Sequence, residues 1–174
     1  MTWFEAFVLG VVEGVTEYLP VSSTGHLLLA ERALGMERST AADAYAICIQ
    51  AGAILAVLGL YRARVAQMVR GLLGEDPVGR RLALQLVVAF LPAAVLGFLF
   101  DDHIDAYLFG LWPVVFAWVV GGAAILLLRG RSGGRAIEGL DTRTAFLIGC
   151  FQCLALWPGT SRSLATILGG VLLG

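Results

Sequence analysis

Apolar positions dominate this chain, and the places where they stop are few and sharp. Residues 44–61 form an 18-residue apolar run interrupted by one amide, Gln50, and two further runs cover 82–100, with Pro92 as an expected kink, and 107–128. Each is long enough to cross about 30 Å of hydrocarbon as a helix. Polar stretches separate them. Residues 36–42 read as a loop, and 62–81 as a loop with five Arg plus Gly71, Gly74 and Pro77 as turn signals. Asp101, Asp102, His103 and Asp105 make a short acidic loop, and 129–143 is rich in Gly and Arg. The ends of the chain differ. Helical runs at 3–18 and 27–34 are too short to span and are split at Pro20, and 144–157 is split from the final apolar run at Pro158. Both pairs predict re-entrant hairpins, over 1–35 and 144–174, because broken backbone at membrane depth is tolerated where it lines a polar cavity.

Composition agrees with that pattern. Of 174 residues, 59% are hydrophobic and 14% charged, with a mean hydropathy of +0.85, far from a soluble domain and typical of a polytopic membrane protein. A net charge of −1 argues against a nucleic-acid partner. The basic residues are all Arg, and nine of the twelve lie in 62–81 and 129–143, which places those loops in the cytoplasm. The acidic loop then faces the other side, and the two hairpins enter from opposite faces. Pro20-Val-Ser-Ser-Thr matches Pro158-Gly-Thr-Ser-Arg, and Gly10-Val-Val-Glu nearly matches Gly149-Cys-Phe-Gln with one residue of slippage. Short interrupted helices in corresponding positions with opposed orientation are the mark of an inverted-topology repeat with a midplane site. The predicted fold is therefore all-α: one integral membrane domain, 1–174, built as a helical bundle with two re-entrant hairpins.

Cys48, Cys150 and Cys153 lie in apolar runs and read as small packing residues, since one C-x-x-C without a second pair is a poor zinc signal. The N-terminus lacks a basic region and cleavage site, so the first helix is expected to stay. The last run, LATILGGVLLG, is too short to span, so the second repeat is expected to be truncated and the chain to be a piece of a longer protein.

The chemistry gathers at the two breaks. Glu13 and Glu17 are four residues apart and share a helix face, and Ser22, Ser23, Thr24 and His26 follow Pro20. Ionisable groups at membrane depth cost about 2.5–3.5 kcal/mol each on insertion scales and mark function by default. A snorkelling helix end or a satisfied polar knot is the alternative, but the groups are too many and too varied for packing alone. Hydroxyl residues at a helix start cap backbone N–H groups, and a helix N-terminus attracts anions. The second break adds Thr160, Ser161, Arg162 and Ser163, and the Arg fork fits phosphate oxygens. A salt bridge from Arg162 to Glu13 or Glu17 is the competing role, and the two roles can coexist. His26 or a buried Glu could move a proton. Glu13 and Glu17 could instead hold a divalent cation, Mg2+ or Ca2+, across a diphosphate. Two carboxylates facing phosphate require either that metal or a protonated Glu.

These stretches, EGVTEYLPVSSTGH from Glu13 and WPGTSRS from Trp157, closely resemble the two signature motifs of undecaprenyl-pyrophosphate phosphatases of the bacitracin-resistance type. Gln50-Ala-Gly52 and the stretch from Gly149 extend the resemblance along the whole chain. It implies a bacterial inner-membrane hydrolase with interleaved inverted repeats, a divalent-cation requirement and a cleft open to the periplasmic side. Its substrate would be a polyprenyl diphosphate lipid, its product the carrier lipid for peptidoglycan synthesis, and its phenotype bacitracin resistance. By position, Glu13, Glu17, Ser23, His26 and Arg162 correspond to the family's functional residues, with Ser23, His26 or a water as nucleophile. Leu164 stands where the family usually has Gly, and family members are longer, so this chain matches their N-terminal two-thirds.

The expected catalytic set is Glu17, Ser23, His26 and Arg162. Glu13, Ser22, Thr24, Thr160, Ser161 and Ser163 would contact substrate, and Glu13 and Glu17 would ligate a metal. A lipid-phosphate transporter or flippase is the alternative function, since broken inverted repeats also describe carriers. Oligomeric state stays open, with a homodimer among the expectations. His103 is assigned to a solvated loop.

Overall fold

The computed structural model describes residues 1–36, 39–108, 110–131, 133–134 and 136–174, and these are helical without a strand. In order they form α1 (Trp3–Thr16), α2 (Ser23–Ala33), α3 (Thr40–Leu60), α4 (Arg62–Leu72), α5 (Pro77–Leu108), α6 (Leu111–Leu127), α7 (Thr142–Gln152) and α8 (Arg162–Leu173). Short 3-10 turns cover Ile137–Gly139 and Cys153–Leu156. Local chemistry sets several starts. Thr2 and Glu5 exchange side-chain-to-backbone bonds in a capping box ahead of α1. Ser39 accepts from the Ala42 N–H, and Asp76 accepts from the Gly79 N–H at 2.9 Å just before α5.

Two sets of contacts define the topology. The Tyr45 hydroxyl donates to the Ala6 carbonyl at 2.8 Å and the Tyr18 hydroxyl donates to the Ala53 carbonyl, so α1 runs parallel to α3. Arg81 and Gln85 both donate to the Leu140 carbonyl, Gly149 lies against Ala89 and Pro92, and Leu156 lies against Gly97. Hence α7 and its 3-10 extension run parallel to α5. Because α3 leads through α4 into α5, α1 and α7 start from opposite ends of the bundle. Close backbone approach at the α5–α7 crossing depends on Gly149, where an added Cβ would sit 2.4 Å from the Ala89 carbonyl oxygen.

The molecule is an all-α membrane bundle. Both α3 and the 28-residue stretch Pro77–Ile104 of α5 are long and apolar enough to cross a bilayer, and α6, at 17 residues, is near the lower limit. Outward-facing Phe98 and Leu127 are 88% and 80% exposed, a surface that suits lipid and not water.

Three boundaries differ from the sequence reading. Residues 62–81, expected to be a loop, contain α4 and the start of α5. Arg is a good helix former, and Val65, Met68, Val69 and Leu72 repeat at helical spacing among the arginines, so only Gly74, with φ of 91°, is a turn residue. The acidic segment 101–105 is also helical, as part of α5. Nothing in Asp-Asp-His-Ile breaks a helix, so the stop comes later, near Gly110, and the third span starts at Leu111 and not 107. The last arm of the first hairpin begins at Ser23, which puts the hydroxyl cluster inside the first turn of α2. Glu37 and Arg38 of the expected 36–42 loop, Phe109, and Ser132 and Arg135 of the 129–143 loop lie outside the described residues.

Two predictions test this packing. Gly149→Ala should destabilise the bundle by about 1–3 kcal/mol through overpacking. Gly122→Ala, with open space around its Cβ, should instead gain up to about 1 kcal/mol from helix propensity. Thermal melts in detergent that shift in the same direction would contradict the α5–α7 contact. The Asp76 carboxyl is lowered below its usual 3.8, first by the Gly79 N–H bond. A lowered native value means the cap contributes fully above the ordinary pKa and fades as pH falls through the native one. The melting difference between wild type and Asp76→Ala should thus be constant above about pH 5 and shrink in stronger acid.

Candidate active site

The first break follows from Pro20, which has no N–H to return to the Thr16 carbonyl, so α1 ends there and Glu17 becomes its C-cap. The chain then turns into α2 through Ser22, which has φ of 66°, the one non-glycine in the left-handed region among the described residues. Its hydroxyl accepts from the Gly25 N–H as the N-cap. At the second break the 3-10 turn passes into extended Trp157, then Pro158 and Gly159. Gly159 has φ of 96°, and a Cβ there would fall 2.9 Å from the Val114 Cα, so both conformation and space demand glycine. Ser161 then caps α8, accepting from the Leu164 N–H at 3.3 Å.

The breaks meet. Arg162 Nη2 donates to Glu17 Oε1 at 2.7 Å, and Ser23 Oγ donates to Glu17 Oε2 at 2.6 Å, so each carboxylate oxygen has its own short donor. Beside this clamp, Ser163 Oγ donates to the Leu19 carbonyl at 3.0 Å and lies 2.7 Å from Ser161 Oγ. Glu17 is only 15% exposed while Arg162 is 52% exposed. The guanidinium thus pairs with Glu17 through one nitrogen and keeps donors for a second anion. The salt bridge expected as an alternative to phosphate contact is present and leaves room for it.

A polar cavity of about 280 Å³ lies between the breaks, lined by Glu17, Ser22, Ser23, Thr24, Thr160, Ser161 and Arg162. Seven of the ten residues expected from the sequence share this wall. Glu13 is buried beside it at 2% exposure, close to Glu17 and Ser23, and neither carboxyl oxygen has a hydrogen-bond partner among the described residues. It opens on an adjoining cavity of about 660 Å³ that shares Ser23, Thr24 and Gln50 with the first. Ser163 lies behind the wall, on the Leu19 carbonyl. His26 does not line the cavity: its Nδ1 donates to the Ser22 carbonyl at 2.9 Å, and its ring lies 5.0 Å from that of Trp118. That bond puts the proton on Nδ1 and leaves Nε2 as the other ring nitrogen.

An orphaned buried carboxyl next to a second carboxylate and a hydroxyl is an oxygen donor set that fits a hard divalent cation. Among the described residues no group of three or more His, Cys, Asp or Glu is placed to hold one, so this pair would supply only part of a cation's oxygen shell.

Two residues escaped the sequence reading as site members. Gln50 lines both cavities, and its signal was the single amide in an apolar run. Trp118 braces His26 and covers Gly25, where a Cβ would fall 2.4 Å from the indole. One Trp in an apolar helix carries no such signal.

Residues 6–174 match the model of a family described as Bacitracin resistance protein BacA. The chain is 50% identical over 180 residues to an undecaprenyl-diphosphatase of Sorangium cellulosum, covering 100% of this chain and 58% of that protein. It is 49% identical to one of Rhodopseudomonas palustris strain BisB18, covering 97% and 64%, and 48% identical to one of Nitrosomonas eutropha, covering 100% and 65%. The chain therefore spans about three-fifths of the length of these relatives. With the family model matched along nearly the whole sequence and both Pro–Ser breaks built into one cavity, this chain belongs to the Bacitracin resistance protein BacA family.

Proposed function

We propose that this chain carries the reaction centre of an undecaprenyl-diphosphate phosphatase. The protein would hydrolyse the terminal phosphate of the diphosphate lipid in a bacterial inner membrane, returning carrier lipid for cell-wall synthesis and so conferring bacitracin resistance. The names of its relatives support the reaction, and the observation that carries it to these residues is the Glu17 clamp. A nucleophile hydrogen-bonded to a carboxylate, 2.6 Å from it, beside an Arg with spare donors is what phosphoryl transfer requires. Simple binding would not need the Ser23–Glu17 bond, which weighs against the flippase reading.

In this mechanism Arg162 and the N-terminal N–H groups of α8 hold the terminal phosphoryl oxygens and offset the charge that develops on them. Ser23 Oγ gives its proton to Glu17 and bonds to phosphorus as the bond to the lipid monophosphate breaks. Water then hydrolyses the phosphoserine and releases phosphate. Glu17 takes the base role because it is the group bonded to Ser23, while His26 is tied to the Ser22 carbonyl. Glu13 and Glu17 would hold the divalent cation, Mg2+ or Ca2+, which when bound would neutralise the diphosphate facing two carboxylates. The arginine-rich loops support a cytoplasmic location for the ends where α5 and α7 begin. The first hairpin would then be re-entrant from the periplasmic side, toward which the cleft opens, and the second from the cytoplasm.

Phosphate release from a C55 lipid diphosphate, measured in detergent where no second compartment exists, tests the reading. Arg162→Ala and Ser23→Ala in the full chain should each lose about 10²–10⁴-fold. A Ser23→Ala variant that keeps full rate would remove the serine nucleophile and leave a water. A folded wild type that releases nothing would sink the hydrolase. EDTA should abolish the activity, and Glu13→Gln should raise the Mg2+ concentration for half-activity about 10–100-fold. An unchanged Mg2+ curve in that variant would take Glu13 out of the metal site.

A further inference from the structure

The bundle carries a second built concavity, at the end where α5 and α7 begin. A groove of about 500 Å³ runs between the α4–α5 turn, the first turns of α5 and the start of α7, and Arg80, Arg81, Leu84, Gln85, Val88 and Thr142 form its length. Through Pro77, Arg81 and Gln85 it adjoins a second lobe of about 320 Å³ with Leu82 and Ile137 on its wall. The ladder on α5 is ordered. Arg80, Leu84 and Val88 are spaced by four and share one helix face, so cationic and apolar side chains follow each other along the axis toward the apolar span. Leu84 is 52% exposed in that groove, and Leu72 and Leu73 beside the turn are 66% and 72% exposed.

Charge in this groove is left over. Among the described residues Arg80 and Arg81 make no ion pair; Arg81 uses one nitrogen on the Leu140 carbonyl at 3.2 Å. Asp76 lines the same groove and accepts from the Gly79 N–H, so the two arginines of the wall, Arg80 and Arg81, outnumber its one carboxylate. The frame is also rigid. A Cβ at Gly71 would fall 2.0 Å from the Arg80 nitrogen and one at Gly79 would fall 2.0 Å from the Gln67 carbonyl, so α4 is seated directly on the α5 backbone.

We propose that this groove binds the phosphodiester headgroup of an anionic phospholipid, with Arg80 and Arg81 on the phosphate and Leu84 and Val88 along an acyl chain. A soluble anion would have no use for the apolar half of the ladder, and a zwitterionic lipid would leave the surplus positive charge of Arg80 and Arg81 over Asp76 unanswered. The groove is separate from the site between the breaks: α7 and its extension, from Leu140 to Trp157, put about 20–25 Å between them. The inference rests on the chain lying in a membrane and not on the proposed hydrolysis.

The test is retention of phosphatidylglycerol against phosphatidylcholine by the full chain in a neutral detergent, read by native mass spectrometry. Wild type should hold phosphatidylglycerol at least about tenfold more tightly, and each of Arg80→Gln and Arg81→Gln should weaken it about fivefold. Among the described residues Arg80 makes no side-chain bond, so Arg80→Gln alone reports binding even if loss of the Arg81–Leu140 contact lowers stability. Leu84→Gln should weaken phosphatidylglycerol while Arg162→Gln should not change it. Equal retention of the two lipids, displacement by millimolar inorganic phosphate, or loss in Arg162→Gln alone would overturn the proposal.

Discussion

A carboxylate this little exposed in an apolar bundle survives because both of its oxygens are answered. Burying one ion without a partner costs several kcal/mol, and removing one member of a buried pair costs about 3–5 kcal/mol. Glu17 takes its two short donors from opposite parts of the chain, Ser23 just past the first break and Arg162 at the second. The same stretch offers the Leu19 carbonyl to Ser163. These few polar contacts tie the N-terminal hairpin to the C-terminal one where apolar packing between lipid-bathed helices gives little specificity. The clamp that holds the fold at this point also sets the Ser23 hydroxyl against a carboxylate.

Topology explains why so many donors converge. Since α1 follows α3 and α7 follows α5, the two helix pairs approach from opposite ends and turn back toward each other. Each return helix begins at its break with a serine cap, Ser22 for α2 and Ser161 for α8. Two helix N-termini, with their unpaired N–H groups and positive dipole ends, are thereby presented to one polar cavity. Breaking the helices there is tolerable because the freed groups face each other and a cavity.

That constraint also explains what could be read from the residues and what could not. Polar groups in an apolar background are expensive, so Glu13, Glu17, the hydroxyl cluster and Arg162 stood out, and the cavity unites most of them. Boundaries were less legible. Arginine and glycine served as loop signals in 62–81, yet arginine favours helices, and glycines there act as contact points for α4 on α5. Asp101 to Asp105 looked like a loop from charge alone, although aspartates at a helix end break nothing. The direction of His26 depended on its place in the first turns of α2 and on Trp118 from a distant helix, and no local pattern encodes either.

The two breaks resemble each other in sequence but do not carry the same charges, and electrostatics accounts for the difference. Where the first copy reads Gly-Val-Val-Glu13 the second reads Gly-Cys-Phe-Gln152, and where the first reads Pro-Val-Ser-Ser-Thr24 the second reads Pro-Gly-Thr-Ser-Arg162. Two identical copies would have put either four carboxylates or two guanidinium groups into one cavity. Like charges about 4 Å apart repel by about 4 kcal/mol at an effective dielectric near 20, per pair. Four carboxylates would have faced one another unopposed, and two arginines would have had no carboxylate between them. Dividing the charges, carboxylates in the first copy and the cation in the second, turns that repulsion into the Glu17–Arg162 attraction at 2.7 Å. Glu13, the carboxyl left over after that pairing, is the buried group without a hydrogen-bond partner among the described residues.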